Sequence, residues 1–205
     1  MEALIVGRTH MGALACVGAI DVQSGRALRL FHKFWTYPDT HDYLVGQLWD
    51  LEVVDRPQNQ ITPPHVEDVL VSSRSFVGTM SLPEARAAVL SVVDPWTCAL
   101  PHVFEGCVVA QNGRPFVSQD AGTPSCSTGF WVADRPFELQ IVEGSSDRYM
   151  THQQPFWSMP YVGLDPTPTR IEAGELVRLS LAGWWQGSWA PPGKRCYVQV
   201  SGTFG

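Results

Sequence analysis

Three groups of side chains in this sequence carry the chemistry to hold a ligand. The first is Arg8, Arg26 and Arg29. A guanidinium offers a planar fork of donors that grips a phosphate or carboxylate through two bonds at once, so these arginines on one sheet face would suit phosphates. Two plainer roles compete: a charged edge that keeps sheets from pairing, and an internal salt bridge to Glu67 or Asp68. The second group is the run Phe31-His32-Lys33-Phe34-Trp35-Thr36-Tyr37. Bases stack on aromatic rings at about 1–3 kcal/mol each. Lys33 for a phosphate, with Trp35 and Tyr37 for bases, would serve a single strand; the competing reading folds this stretch back as a barrel plug. The third group is Trp184, Trp185 and Trp189 with Lys194 and Arg195, in a hairpin loop punctuated by Gly183, Gly187, Pro191, Pro192 and Gly193. So many indoles in one loop are hard to bury together, and an exposed apolar patch usually marks an interaction site. Packing against another part of the chain or a partner is expected there before base stacking.

A weaker candidate is His65 with Glu67, which share a strand face and are of the types that ligate a metal. A complete site needs further ligands, and nothing in the spacing selects among His10, His32 and His41. The competing role is a hydrogen-bonded strand end. No Gly-x-Ser-x-Gly elbow, phosphate-binding loop, dinucleotide fingerprint or zinc-protease helix occurs. No catalytic residue is therefore nominated and no cofactor is expected.

The elements that must position these groups are mostly strands. Residues 4–30 hold two Val/Ile-rich runs, a Ser-Gly turn and an alternating run, which predicts a three-strand meander. Residues 31–45 read as a long surface loop. Residues 46–54 alternate, with Gln47, Trp49, Leu51 and Val53 as the core-facing set. A strand over residues 65–71 follows a Pro-rich link, giving the five strands of an oligonucleotide-binding (OB) barrel. Ser81-Leu82-Pro83-Glu84 is a capping box with Pro in the first turn, and Leu82, Ala85, Val89 and Val92 form the stripe of a helix that stops at Asp94-Pro95. Beyond it, strands are expected at residues 103–109, 115–118, 130–133, 137–142, 176–181 and 196–200. The fold expected is all-β: two tandem OB-like β-barrels with one short helix near the join. Residues 1–78 make the first barrel, 79–97 the helix and linker, and 98–205 the second barrel.

Composition narrows the function. Only 17% of the 205 residues are charged and the net charge is −6, which argues against tight, charge-driven duplex binding. A local basic face is still compatible with that total. The five cysteines are scattered with no Cys-x-x-Cys, so a zinc ribbon is not expected, and Cys16 and Cys196 read as small core residues. No run approaches a membrane span and no signal peptide opens the chain, so a reduced cytoplasmic protein with no membrane partner is expected.

The order Gly-Arg-Thr, Cys-Val-Gly-Ala-Ile-Asp, Ser-Gly-Arg-Ala-Leu-Arg-Leu and His-Val-Glu-Asp resembles the bacterial dual OB domain family. The closing Val-Arg-Leu-Ser-Leu-Ala and Cys-Tyr-Val-Gln-Val-Ser-Gly resemble its second barrel. The chain departs from the family pattern at Thr9, where a Lys is common, and at Ala27-Leu28-Arg29-Leu30. The resemblance implies nucleic-acid binding, in a setting of bacterial defence or genome maintenance. The expected function is thus a non-catalytic module for single-stranded DNA or RNA, using Arg8, Arg26, Arg29, Lys33, Trp35 and Tyr37. The alternatives are a protein–protein adaptor or homodimeric subunit, using Trp184, Trp185, Trp189 and Arg195, and a small metal-dependent hydrolase at His65 and Glu67.

Overall fold

The computed structural model describes residues 1–141, 146–186 and 193–205. The meander forms where the sequence places it: β1 (Glu2–Met11), β2 (Leu14–Asp21) and β3 (Ala27–Phe31). Ser24 Oγ donates to Asp21 Oδ2 at 2.6 Å and holds the turn between β2 and β3. The chain then adds β4 (Gln47–Asp55) and β5 (Asp68–Thr79). β5 pairs antiparallel with β4 and parallel with β3, while β4 returns to β1, closing a barrel in the order β1-β2-β3-β5-β4. Strand alternation fills it. Ile5, Val17, Ala19, Leu28, Leu30 and Val69 point inward, joined from β4 by Leu51 with Trp49 and Val53 against it.

The loop over residues 31–45 does two things. Lys33–Trp35 make a short 3-10 turn on the surface, while Tyr43 is fully buried in the barrel core. The strand expected from residue 65 starts at Asp68 instead.

α1 (Leu82–Val92) opens with the expected capping box, Ser81 N donating to Glu84 Oε2 at 2.7 Å. Ala85 and Val89 are buried against Leu4, Val6 and Ile20 of the barrel and against Phe130, Leu176 and Phe204 of the second half. The helix therefore seals the join. Leu82, expected on the same stripe, is exposed.

The second half consists of β6 (Val108–Gln111), β7 (Arg114–Ser118), β8 (Thr128–Val132), β9 (Phe137–Gln140), β10 (Arg148–Met150), β11 (Ser158–Pro160), β12 (Arg170–Ile171), β13 (Leu176–Leu181) and β14 (Arg195–Phe204). They form a five-stranded sheet, β6-β7-β14-β13-β8, and a four-stranded sheet, β11-β10-β9-β12. Both cover one core that includes Phe104, Trp131, Phe137, Tyr149, Val177 and Val198. Residues 103–109 do not run as one strand. Glu105 and Gly106 take φ of 61° and 75°, which breaks an extended run, and β6 begins at Val108. Among the described residues no helix is long and apolar enough to cross a membrane.

Candidate nucleic-acid interface

The arginines of the meander do not converge. Arg8 lies opposite Val17 in the β1–β2 register, whereas Arg29 lies opposite Gly18 in the β2–β3 register. Since Val17 and Gly18 are adjacent on β2, the two guanidiniums emerge on opposite faces of the sheet. Each is also met by a carboxylate. Arg8 holds Asp165 through Nε at 3.2 Å and Nη2 at 2.5 Å, and its Nη1 donates to the carbonyls of Thr40 at 2.7 Å and Tyr43 at 3.0 Å. Arg26 pairs with Asp55 on the surface. Arg29 pairs with Asp68, which is 3% exposed and also accepts from Arg56 Nη1 at 2.5 Å. Of the roles open to these side chains, the internal salt bridge is the one seen for Arg29.

The strand 2–3 face, which OB barrels commonly offer to oligonucleotides, is occupied at Gly18 by a side chain of the second half. Arg178 reaches from β13 over Gly18 of β2 and Gly7 of β1. A Cβ built on Gly18 would lie 2.2 Å from Arg178 Nη2, and one on Gly7 would lie 3.0 Å from Nη1. The two glycines are the notch that lets the second half sit against the barrel.

The aromatic run is split by its 3-10 turn. Phe34 and Trp35 both take positive φ, 59° and 57°, a conformation that costs non-glycine residues energy. It turns Phe34 outward, 88% exposed. Trp35 instead packs beside Phe31, with the Arg56 guanidinium 5.0 Å above its ring. Tyr37 packs on Phe31 at 4.8 Å, and burial pushes its hydroxyl pKa up. Lys33 is exposed and makes no ion pair among the described residues; with His32 and Arg74 it lines a shallow cavity of about 260 Å³.

The Glu67 carboxylate is taken up by hydrogen bonds within the chain. Glu67 is 5% exposed and accepts from Ser127 N at 2.6 Å, Ser127 Oγ at 2.7 Å, Thr128 N at 3.2 Å and Val66 N at 3.1 Å. The carboxylate is a tie between the halves. Burial and the Arg29 charge hold the His65 pKa below its usual value. Among the described residues no group of three His, Cys, Asp or Glu side chains is placed to hold a metal ion.

The Trp-rich loop has two fates. Trp184 Nε1 donates to the Pro63 carbonyl at 2.7 Å, tying the second half to the first barrel. Trp185 exchanges backbone hydrogen bonds with Arg195 at 2.9 Å and sets its ring 6.1 Å from Tyr197. Arg195 is 8% exposed, lies 4.3 Å above the Phe116 ring and donates to Gln111 Oε1 at 2.6 Å. Trp189 lies outside the described residues.

Beside Trp185 is a groove of about 510 Å³ lined by Arg114, Arg148, Ser158, Trp185, Tyr197 and Gln199, among others. Arg114 and Arg148 were not singled out by the sequence. They meet because the Asn112-Gly113 turn, with φ of 51° and 73°, reverses β6 into β7 and docks on β11, where Ser158 N donates to the Gly113 carbonyl at 2.8 Å. Across β10–β11, Arg148 Nε donates to Ser158 Oγ at 2.7 Å and Nη2 to the Ser158 carbonyl at 2.8 Å. Neither arginine pairs with a carboxylate among the described residues. Burial, and then the neighbouring Arg114 charge, lowers the Arg148 pKa. The available signal in the sequence was the Asn-Gly hairpin dipeptide followed at once by Arg.

No curated protein and no solved structure matches the chain. A family model described as the dual OB-containing domain matches residues 1–203. With a closed OB-ordered barrel followed by a second β-sheet unit, and a match over nearly its full length, the chain belongs to the dual OB-containing domain family.

Proposed function

We propose that this dual OB protein is a non-catalytic module that binds single-stranded nucleic acid, and that the strand lies in the second-half groove rather than on the meander. One observation carries the reading: Arg114 and Arg148 line one groove next to the Trp185 and Tyr197 rings, close enough for the charge of the first to act on the second, and neither pairs with a carboxylate among the described residues. Cations beside aromatic faces are what a single strand uses, phosphates on the former and bases on the latter. The volume, about 510 Å³, is in the range of small-ligand pockets. It suits a few nucleotides of an extended strand. A place in bacterial defence or genome maintenance rests on the family resemblance alone. The test is fluorescence anisotropy of a labelled oligonucleotide, single-stranded and as the matching duplex. Tighter binding of the single strand, weakened by Trp185→Ala, supports the reading; no binding of either, or preference for the duplex, removes it.

A protein–protein adaptor is the second reading. It is favoured by the exposed Phe34 and Ile141, at 88% and 84%, together with the ion pairs that neutralise the meander arginines. Light scattering on the purified chain separates the two, because the adaptor reading in its homodimeric form requires twice the monomer mass.

A further inference from the structure

Arg178 is the one buried cation of the join that makes no ion pair among the described residues, although the Glu67 carboxylate lies close enough for its charge to act on it. It is 6% exposed, and its guanidinium donates to a neutral partner, Ser201 Oγ, at 2.8 Å from Nη1. Arginine stays protonated at any ordinary pH. A buried charge of this kind is costly unless something compensates it. The nearby carboxylates are engaged elsewhere: Glu67 with Ser127, Thr128 and Val66, and Asp68 with Arg29 and Arg56. Counting the formal charges of this layer, Arg29, Arg56 and Arg178 exceed Glu67 and Asp68 by one, since burial holds the His65 pKa down.

Arg178 also lines a cleft of about 180 Å³ between the barrel and the second half, with Ala19, Ala27, Asp94, Trp96 and Thr128 among the other lining residues. We infer that this cleft is a site for free hydrogen phosphate. The guanidinium meets the anionic oxygens, and Asp94, which also lines the cleft, accepts a hydrogen bond from the P–OH that hydrogen phosphate still carries. Sulfate has no such proton near neutral pH. The space falls below the roughly 300 Å³ at which small-molecule pockets begin, so a phosphate group fits and a whole nucleotide does not. Gly7 and Gly18 seat the guanidinium, because a Cβ at either would push it aside.

The test is calorimetric titration of the full chain with inorganic phosphate, a small phosphate monoester and sulfate at matched ionic strength. Phosphate should bind with a stoichiometry of one and sulfate at least tenfold more weakly. The monoester, which carries no proton much above its second pKa of about 6, should bind as weakly as sulfate; monoester binding equal to that of phosphate overturns the role given to Asp94. Arg178→Gln should abolish the heat, while Asp94→Asn, at the cleft wall, should erase the preference over sulfate even if the Arg178 variant does not fold. Equal binding of phosphate and sulfate to the wild type, or no binding of either, overturns the inference. So does loss of phosphate binding in Arg148→Ala with retention in Arg178→Gln, which would move the anion to the groove.

Discussion

Glu67 and Ser127 face each other across the join between the two halves, the Ser127 amide and hydroxyl both donating to the Glu67 carboxylate, at 2.6 Å and 2.7 Å. The contact is buried and lies far from either chain end, so its strength reports on the docking of the second half onto the barrel. Glu67→Ala removes the acceptor and leaves buried donors on Ser127 and Thr128 unmet. It is expected to cost on the order of 3 kcal/mol, read as a lower urea midpoint. Ser127→Ala keeps the amide bond and should cost about 1 kcal/mol.

Stability should fall on mild acidification, and two histidines account for the slope. Burial, and then a neighbouring arginine (Arg29 for His65, Arg74 for His32), lowers each pKa below the ordinary 6.5. Below that value the unfolded chain binds protons that the folded chain refuses, so stability is present above it and lost as pH falls toward the folded values. Urea midpoints taken between about pH 7 and about pH 5.5 should decline. The decline should be shallower in a His32→Gln/His65→Gln variant; an unchanged slope there would assign the effect to other groups.

Gly18→Ala probes the notch. Its new methyl would sit 2.2 Å from Arg178 Nη2, forcing the guanidinium out of place. Overpacking of this kind costs about 1–3 kcal/mol, and the loss should be smaller in an Arg178→Met background, where the longer polar head is gone. Additive losses would mean that Gly18 is needed for some other reason.

Arg8 separates structure from binding. Its pair with Asp165 and its bonds to Thr40 and Tyr43 are internal to the chain. Arg8→Gln should therefore lower the melting temperature, by a free-energy loss of about 1–3 kcal/mol, while oligonucleotide affinity changes less than twofold. A large affinity loss in a folded Arg8→Gln variant would return the phosphate contact to the meander.

Much of the scaffold could be read from residue order. The meander, the core face of β4 and the capping box at Ser81 are local patterns, and each forms as expected. Side-chain pairing could not be read the same way. Arg8 meets Asp165, and Arg26 meets Asp55, through contacts distant in sequence, so a list of cations overstated the free positive charge on the meander. The reverse error hid the groove. Arg114 and Arg148 are unremarkable singly and become a pair only because a hairpin turn rests on Ser158. Residues 103–109 misled for a local reason: their apolar run looks like a strand, but Val103 and Phe104 fill the core from consecutive tight turns.

The central claim, that a single strand is held by the Arg114–Arg148 pair, is tested most directly by the salt dependence of oligonucleotide binding. Each phosphate contact on a single strand contributes about −0.7 to the slope of log affinity against log salt. An Arg114→Ala/Arg148→Ala variant that keeps the wild-type melting temperature should bind more weakly, with a slope shallower by about 1.4. The same affinity and the same slope in wild type and variant would contradict the account.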